Sequence, residues 1–197
     1  FKTNPHLHDH EQSDAGFYDL LLHSQDQAFD VPRLINTLRE TDWQLAGFYH
    51  QGLYDLARYM TPPSGMDLAE QMGLAEKLNG TIKTHVGYAA AGTCVLPDAF
   101  AKNQRVPHLR GVSPVKLAQV IARGTAVPIT IGAETTRIKL PKSAAPMIAA
   151  VNGQRDLAAI AQVAKLDPIA ARSIWAQVET RLLPWGMLLY SNLLKRG

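Results

Sequence analysis

The chain has 197 residues, 46% of them hydrophobic and 19% charged, with 20 Lys+Arg against 17 Asp+Glu and one cysteine. That is the composition of an ordinary globular protein, long enough to bury one sizeable core or two small ones without covalent staples. Lone Cys94 excludes an internal disulfide framework and a cysteine-based zinc cluster. No apolar run approaches the roughly 18 residues of a membrane span, so a cytoplasmic setting with no membrane partner is expected.

Charge divides the chain. Residues 1–97 carry 6 Lys+Arg and 12 Asp+Glu, residues 98–197 carry 14 and 5, so an acidic module precedes a basic one. The stretch from Ala91-Gly92-Thr93 to Pro107 has no sustained period and reads as a linker. The expected organisation is a first module over 1–92, a linker over 93–107 and a second module over 108–197. Phe1 is followed by no basic-then-apolar leader, and the chain is expected to be a processed or truncated piece of something longer.

In chain order, Asn4-Pro5-His6-Leu7-His8-Asp9-His10 comes first. Alternating histidines on an extended segment point to one side, so His6, His8 and His10 can chelate a divalent metal. The segment is one residue short of the H-x-H-x-D-H signature, and a polar loop near a chain end is the plainer reading. No metal is expected. Asp30, then Val31, Leu34, Ile35 and Leu38, predict a capped helix with one apolar face, Pro32 sitting in its first turn. Trp43 to His50 alternates as a strand, with Leu45, Gly47 and Tyr49 on one face and Gln44, Ala46 and Phe48 on the other. Residues 53–60 and 66–78 predict helices separated by Pro62-Pro63, and residues 84–90 a second strand around Val86 and Tyr88.

The stretch Asp14-Ala15-Gly16-Phe17-Tyr18-Asp19-Leu20-Leu21-Leu22-His23-Ser24-Gln25-Asp26-Gln27-Ala28-Phe29, with Gly47-Phe48 and Asn79-Gly80-Thr81-Ile82-Lys83-Thr84-His85, resembles the late part of bacterial class I S-adenosylmethionine-dependent methyltransferases. The resemblance implies an α/β fold: the incomplete end of a Rossmann-like domain, in which a closing helix, a sixth strand and an antiparallel seventh strand fall within residues 31–90. Residues 51–80 would then be a helical insertion. The second half is similar to the methyltransferase regulatory domain that some of these enzymes carry as a tail. Tyr18 and His23 fall in the family-like segment, where they can line an acceptor pocket or serve as a buried element and its cap. His85 and Lys83 pose the same choice beside a strand, where the structural role weighs more.

The departure from that family is specific. Its cofactor needs a glycine-rich turn whose backbone N–H groups are open to the ligand, and no G-x-G segment or early strand–helix–strand run is present here. The expectation is a portion that binds no S-adenosylmethionine and cannot methylate alone, the cofactor half lying upstream or on another subunit. A seventh strand without its neighbour also exposes an edge open to self-association.

In the second module, Pro128 to Ile131 and Thr136 to Leu140 predict a hairpin around Gly132-Ala133-Glu134. Helices follow over 144–151, after Asp156, and from Asp167-Pro168 through a face of Ala171, Ile174, Trp175, Val178 and Leu182 up to Pro184. A strand over 185–190 completes a small winged-helix-like α+β unit. Its basic residues are scattered rather than gathered in a stripe, so nucleic acid is not the favoured partner. The competing function is a non-enzymatic interaction module that binds a protein or nucleic acid through this half. Ser64-Gly65 and Ser113-Pro114 lack a nucleophile elbow, Cys94 has no nearby histidine, and there is no P-loop, which disfavours hydrolase and nucleotidase chemistry.

Overall fold

A computed structural model describes residues 28–92, 105–132 and 134–191. Helix α1, Val31–Glu40, turns its apolar stripe inward, with Val31 fully buried and Leu34 and Ile35 packed beside it. Its first N–H is met by the Glu76 carboxylate, Val31 N donating to Oε2 over 2.8 Å, a favourable place for negative charge at a helix start. The chain leaves α1 through Asp42, whose φ of 58° is left-handed, and enters strand β1, Trp43–Phe48.

Strand β1 pairs antiparallel with β2, Gly87–Ala91, from Trp43 opposite Ala91 to Phe48 opposite Gly87. The register shifts between Leu45 and Gly47, and this irregularity changes the face reading. Simple alternation puts Leu45 and Phe48 on opposite faces, yet both join the same small core, because an extra residue in one strand reverses the side on which later side chains emerge.

Between the strands, the helix expected over 53–60 is two short 3₁₀ turns, Gln51–Tyr54 and Leu56–Arg58. Asp55 interrupts them in an extended conformation, its side chain accepting from Ala57 N at 3.0 Å. A short polar side chain that bonds the backbone two residues on favours a turn over a continuing helix. Helix α2, Leu68–Asn79, opens on a full capping box, with Asp67 accepting from Glu70 N and Glu70 from Asp67 N. It stops at left-handed Gly80.

The remaining elements share the larger core. Strand β3, Val106–Leu109, pairs antiparallel with the last strand, β6, Leu188–Ser191. Helix α3, Pro114–Ala122, was not among the sequence expectations: its stripe is short and Val115 in its first turn is exposed, so only Leu117, Ala118 and Ile121 are buried. The expected hairpin forms as β4, Val127–Ile131, and β5, Glu134–Ile138, the second strand lying two residues earlier than expected because Glu134 pairs with Ile131 instead of belonging to the turn. Helices α4, Ala145–Ala150, α5, Leu157–Val163, and α6, Pro168–Leu182, follow. Asp156 caps α5, and Asp167 caps α6 by accepting from both Ile169 N and Ala170 N. The final strand begins three residues later than expected, because a 3₁₀ turn, Leu183–Trp185, and left-handed Gly186 come first.

From Val31 onward the described residues belong to one compact unit. Leu53 packs against both cores. The Arg58 guanidinium lies 4.8 Å from the Trp185 ring centroid, pairs with Glu134 and donates to Gly52 O at 2.7 Å. His50 Nδ1 lies 3.2 Å from Trp185 O. Gly52 lets the backbone approach the indole, since a Cβ there would sit 3.1 Å from its ring carbons. Residues 93–104 of the expected linker lie outside the described residues, while Val106 and Pro107 are part of β3. No helix among the described residues is long and apolar enough to cross a membrane.

Candidate functional site

Three side chains that are far apart in sequence meet beneath the β1–β2 ribbon. Tyr54 ends the first 3₁₀ turn, Glu76 lies on the inner face of α2, and His85 precedes β2. The Tyr54 hydroxyl is 2.8 Å from His85 Nδ1, and His85 Nε2 is 3.0 Å from Glu76 Oε1. The other Glu76 oxygen accepts from Val31 N. Phe48 stacks on Tyr54, with ring centroids 3.8 Å apart and planes 17° from parallel. The protonation pattern that completes this row has the ring proton on Nε2, donated to Glu76, while Nδ1 accepts from the phenol.

Such a row can move a proton between phenol and carboxylate, but its electrostatics set a limit. Tyr54 is only 5% exposed. Burial first, then the nearby Glu76 charge, pushes its phenol from the ordinary 10 up to about 12. At neutral pH a phenol of that kind is ionised roughly once in 10⁵ molecules, so it is a hydrogen-bond donor and not a base. The row therefore clamps α1, α2 and the approach to β2 together. The sequence offered His85 alone as a candidate. Tyr54 and Glu76 carry no local signal, because nothing in a spacing of 22 or 9 residues specifies that the side chains converge.

Tyr18, His23, His6, His8 and His10 all lie outside the described residues. Among the described residues, no group of three or more His, Cys, Asp or Glu side chains could hold a metal ion. Lys83 is exposed in the segment before β2 and does not belong to the row.

The residues described do not fit S-adenosylmethionine. Among the described residues all three strand pairs are antiparallel, and no parallel strand–helix–strand crossover among them presents a helix start to the cofactor. The turn from β3 into α3 contains a single glycine, Gly111, where the cofactor requires a run of open backbone N–H groups. No protein-family model matches the chain, and no curated protein matches it.

Proposed function

We propose that this chain is the acceptor-side and regulatory portion of an S-adenosylmethionine-dependent methyltransferase whose cofactor-binding half is supplied by residues upstream or by another chain. The observation that carries this reading is the succession of α1, β1, an insertion with α2, and an antiparallel β2, the order that the sequence resemblance implies for the end of such a domain. Among the described residues β2 has only β1 as a neighbour, and beside this edge Val86 and Tyr88 are 57% and 62% exposed. An apolar strand edge of this kind calls for a covering partner, and the rest of the methyltransferase sheet is a partner of the right shape. The reading places the protein in the cytoplasm, with the basic, helix-rich second half as its regulatory tail.

Calorimetric titration with S-adenosylhomocysteine tests it. The 197-residue chain should give no saturable heat at millimolar ligand, while the chain extended upstream by its own coding sequence should bind at micromolar concentration and transfer a labelled methyl group. Micromolar binding by the short chain overturns the division of labour. An extended chain that neither binds nor transfers overturns upstream residues as the source of the cofactor half.

A further inference from the structure

Residues 105–191 carry 11 Lys+Arg against 4 Asp+Glu, and each of those acids is already engaged. Glu134 pairs with Arg58 and accepts from Asn79, Asp156 and Asp167 cap helices, and Glu179 accepts from the Tyr190 hydroxyl. Most of the positive charge in this half is left for a partner from outside.

Folding gathers part of that surplus. A shallow, open groove of about 580 Å³ runs between the end of β5 and the C-terminal half of α6, with Lys139 on one wall and Gln177, Thr180 and Arg181 on the other. No acidic side chain lines it. Among the described residues neither Lys139 nor Arg181 has a hydrogen-bond or ion-pair partner. Thr180 donates back to Ala176 O at 2.9 Å, which leaves the Gln177 amide as the neutral donor of the groove. Helical spacing builds one wall, since positions 177, 180 and 181 share a face. Alternation builds the other: Ile138 and Leu140 are buried while Arg137 and Lys139 are exposed, so both cations leave the hairpin on its outer side. Charges that are scattered along the chain thus meet in space.

We infer that this groove holds the phosphate backbone of a double-stranded nucleic acid, a phosphate lying between Lys139 and Arg181 with Gln177 donating beside it and Arg137 meeting a neighbouring phosphate. Cations that neutralise phosphates release condensed counterions, and neutral donors such as Gln add hydrogen bonds to the same oxygens. The surroundings select the occupant. A protein partner is anchored by aromatic or large apolar side chains in well-packed contact, and the groove exposes none: its one large apolar residue, Leu140, is 3% exposed. Single strands are held by stacking on aromatic platforms, whereas the exposed aromatics among the described residues, Phe29, Trp43, Tyr59 and Tyr88, all belong to the first half of the chain. An open groove also suits a polymer that passes through it better than a small anion that must be enclosed. The site is independent of the methyltransferase reading and stands or falls separately.

Fluorescence anisotropy of the intact chain with a labelled random-sequence duplex of about two helical turns tests it. Binding at about 50 mM salt should be saturable in the micromolar range, and log K should fall against log salt with a slope of about −3, close to one unit for each of Arg137, Lys139 and Arg181. Lys139→Gln combined with Arg181→Gln, both at exposed positions, should weaken binding at least tenfold and flatten the slope by about 2, with circular dichroism unchanged. Lys116→Gln combined with Lys165→Gln removes the same charge outside the groove and should leave the slope as it was. Absence of saturable binding, or equal losses in the two double variants, overturns the groove. Equal or tighter binding of the single strand overturns the duplex, and displacement by polyglutamate at matched charge overturns nucleic acid as the occupant.

Discussion

The Tyr54 hydroxyl donates to a ring nitrogen whose opposite side is already committed to Glu76. Tyr54→Phe keeps the stack on Phe48 and removes only that hydrogen bond. The expected loss is about 1–2 kcal/mol of unfolding free energy in urea at pH 7. A second expectation concerns alkaline pH. The Tyr54 phenol ionises near 10 when unfolded and near 12 when folded, so the unfolded state releases its proton first, and stability present below 10 is lost as pH rises to about 12. Tyr190 behaves in the same direction, pushed up further by burial and by its bond to Glu179, so its share of the decline starts at the same pH and continues beyond. Tyr54→Phe should flatten part of the fall between 10 and 12, and a profile identical to wild type would remove Tyr54 from this account. Sequence reading reached His85 but not its partners, since hydrogen-bond convergence depends on how α2 and the 3₁₀ turn are placed.

Among the elements, α2 offers the sharpest contest between local and tertiary effects. By propensity alone, Gly73→Ala in this helix interior should stabilise by about 1 kcal/mol. A Cβ at Gly73, however, would lie 2.8 Å from Pro32 Cγ and 3.0 Å from Cδ, and a proline ring at the start of α1 cannot swing aside. Overpacking of this kind costs about 1–3 kcal/mol, so thermal unfolding of Gly73→Ala should show a net loss; a higher melting temperature would mean that α1 and α2 separate freely. Asp67→Ala removes the side-chain half of the capping box and should cost about 1 kcal/mol by the same measurement. Helices α5 and α6 were legible because an aspartate cap and an apolar stripe follow each other within a few residues, whereas α2 was legible from its apolar spacing and its cap at Asp67 was missed. Strand β1 was legible as a strand but not in its faces, because the shift after Leu45 depends on its pairing with β2.

At the scale of the whole molecule, Trp185 joins what composition divides. Its ring packs on Gly52 and lies against the Arg58 guanidinium, while Arg58 reaches Glu134 on the hairpin. Trp185→Ala should cost about 3–5 kcal/mol and, beyond that, split one cooperative transition into two. Calorimetry together with tertiary circular dichroism checks this, and a single undivided transition in the variant would show that other contacts carry the coupling. Exposed Val86 and Tyr88 beside the β2 edge should make the isolated chain associate as its concentration rises. Val86→Lys, a charge beside that edge, should return it to the monomer in sedimentation velocity. Sedimentation unaffected by concentration in the wild type would contradict an open edge.

Local order was determined by the sequence itself: the N-caps at Asp67, Asp156 and Asp167, the left-handed stop at Gly80, the hairpin at Gly132, and the apolar stripe of α6 are all properties of neighbouring residues, fixed by backbone sterics and periodicity. The acidic-to-basic change was equally plain, and it suggested two modules. Tertiary structure alone decided that Arg58, Glu134 and Trp185 meet, that Tyr54, Glu76 and His85 form one bonded row, and that Lys139 and Arg181 line one groove. Each of these depends on the relative placement of elements tens of residues apart, which arises from burying many weak, non-directional contacts at once and therefore leaves no signature at any single position.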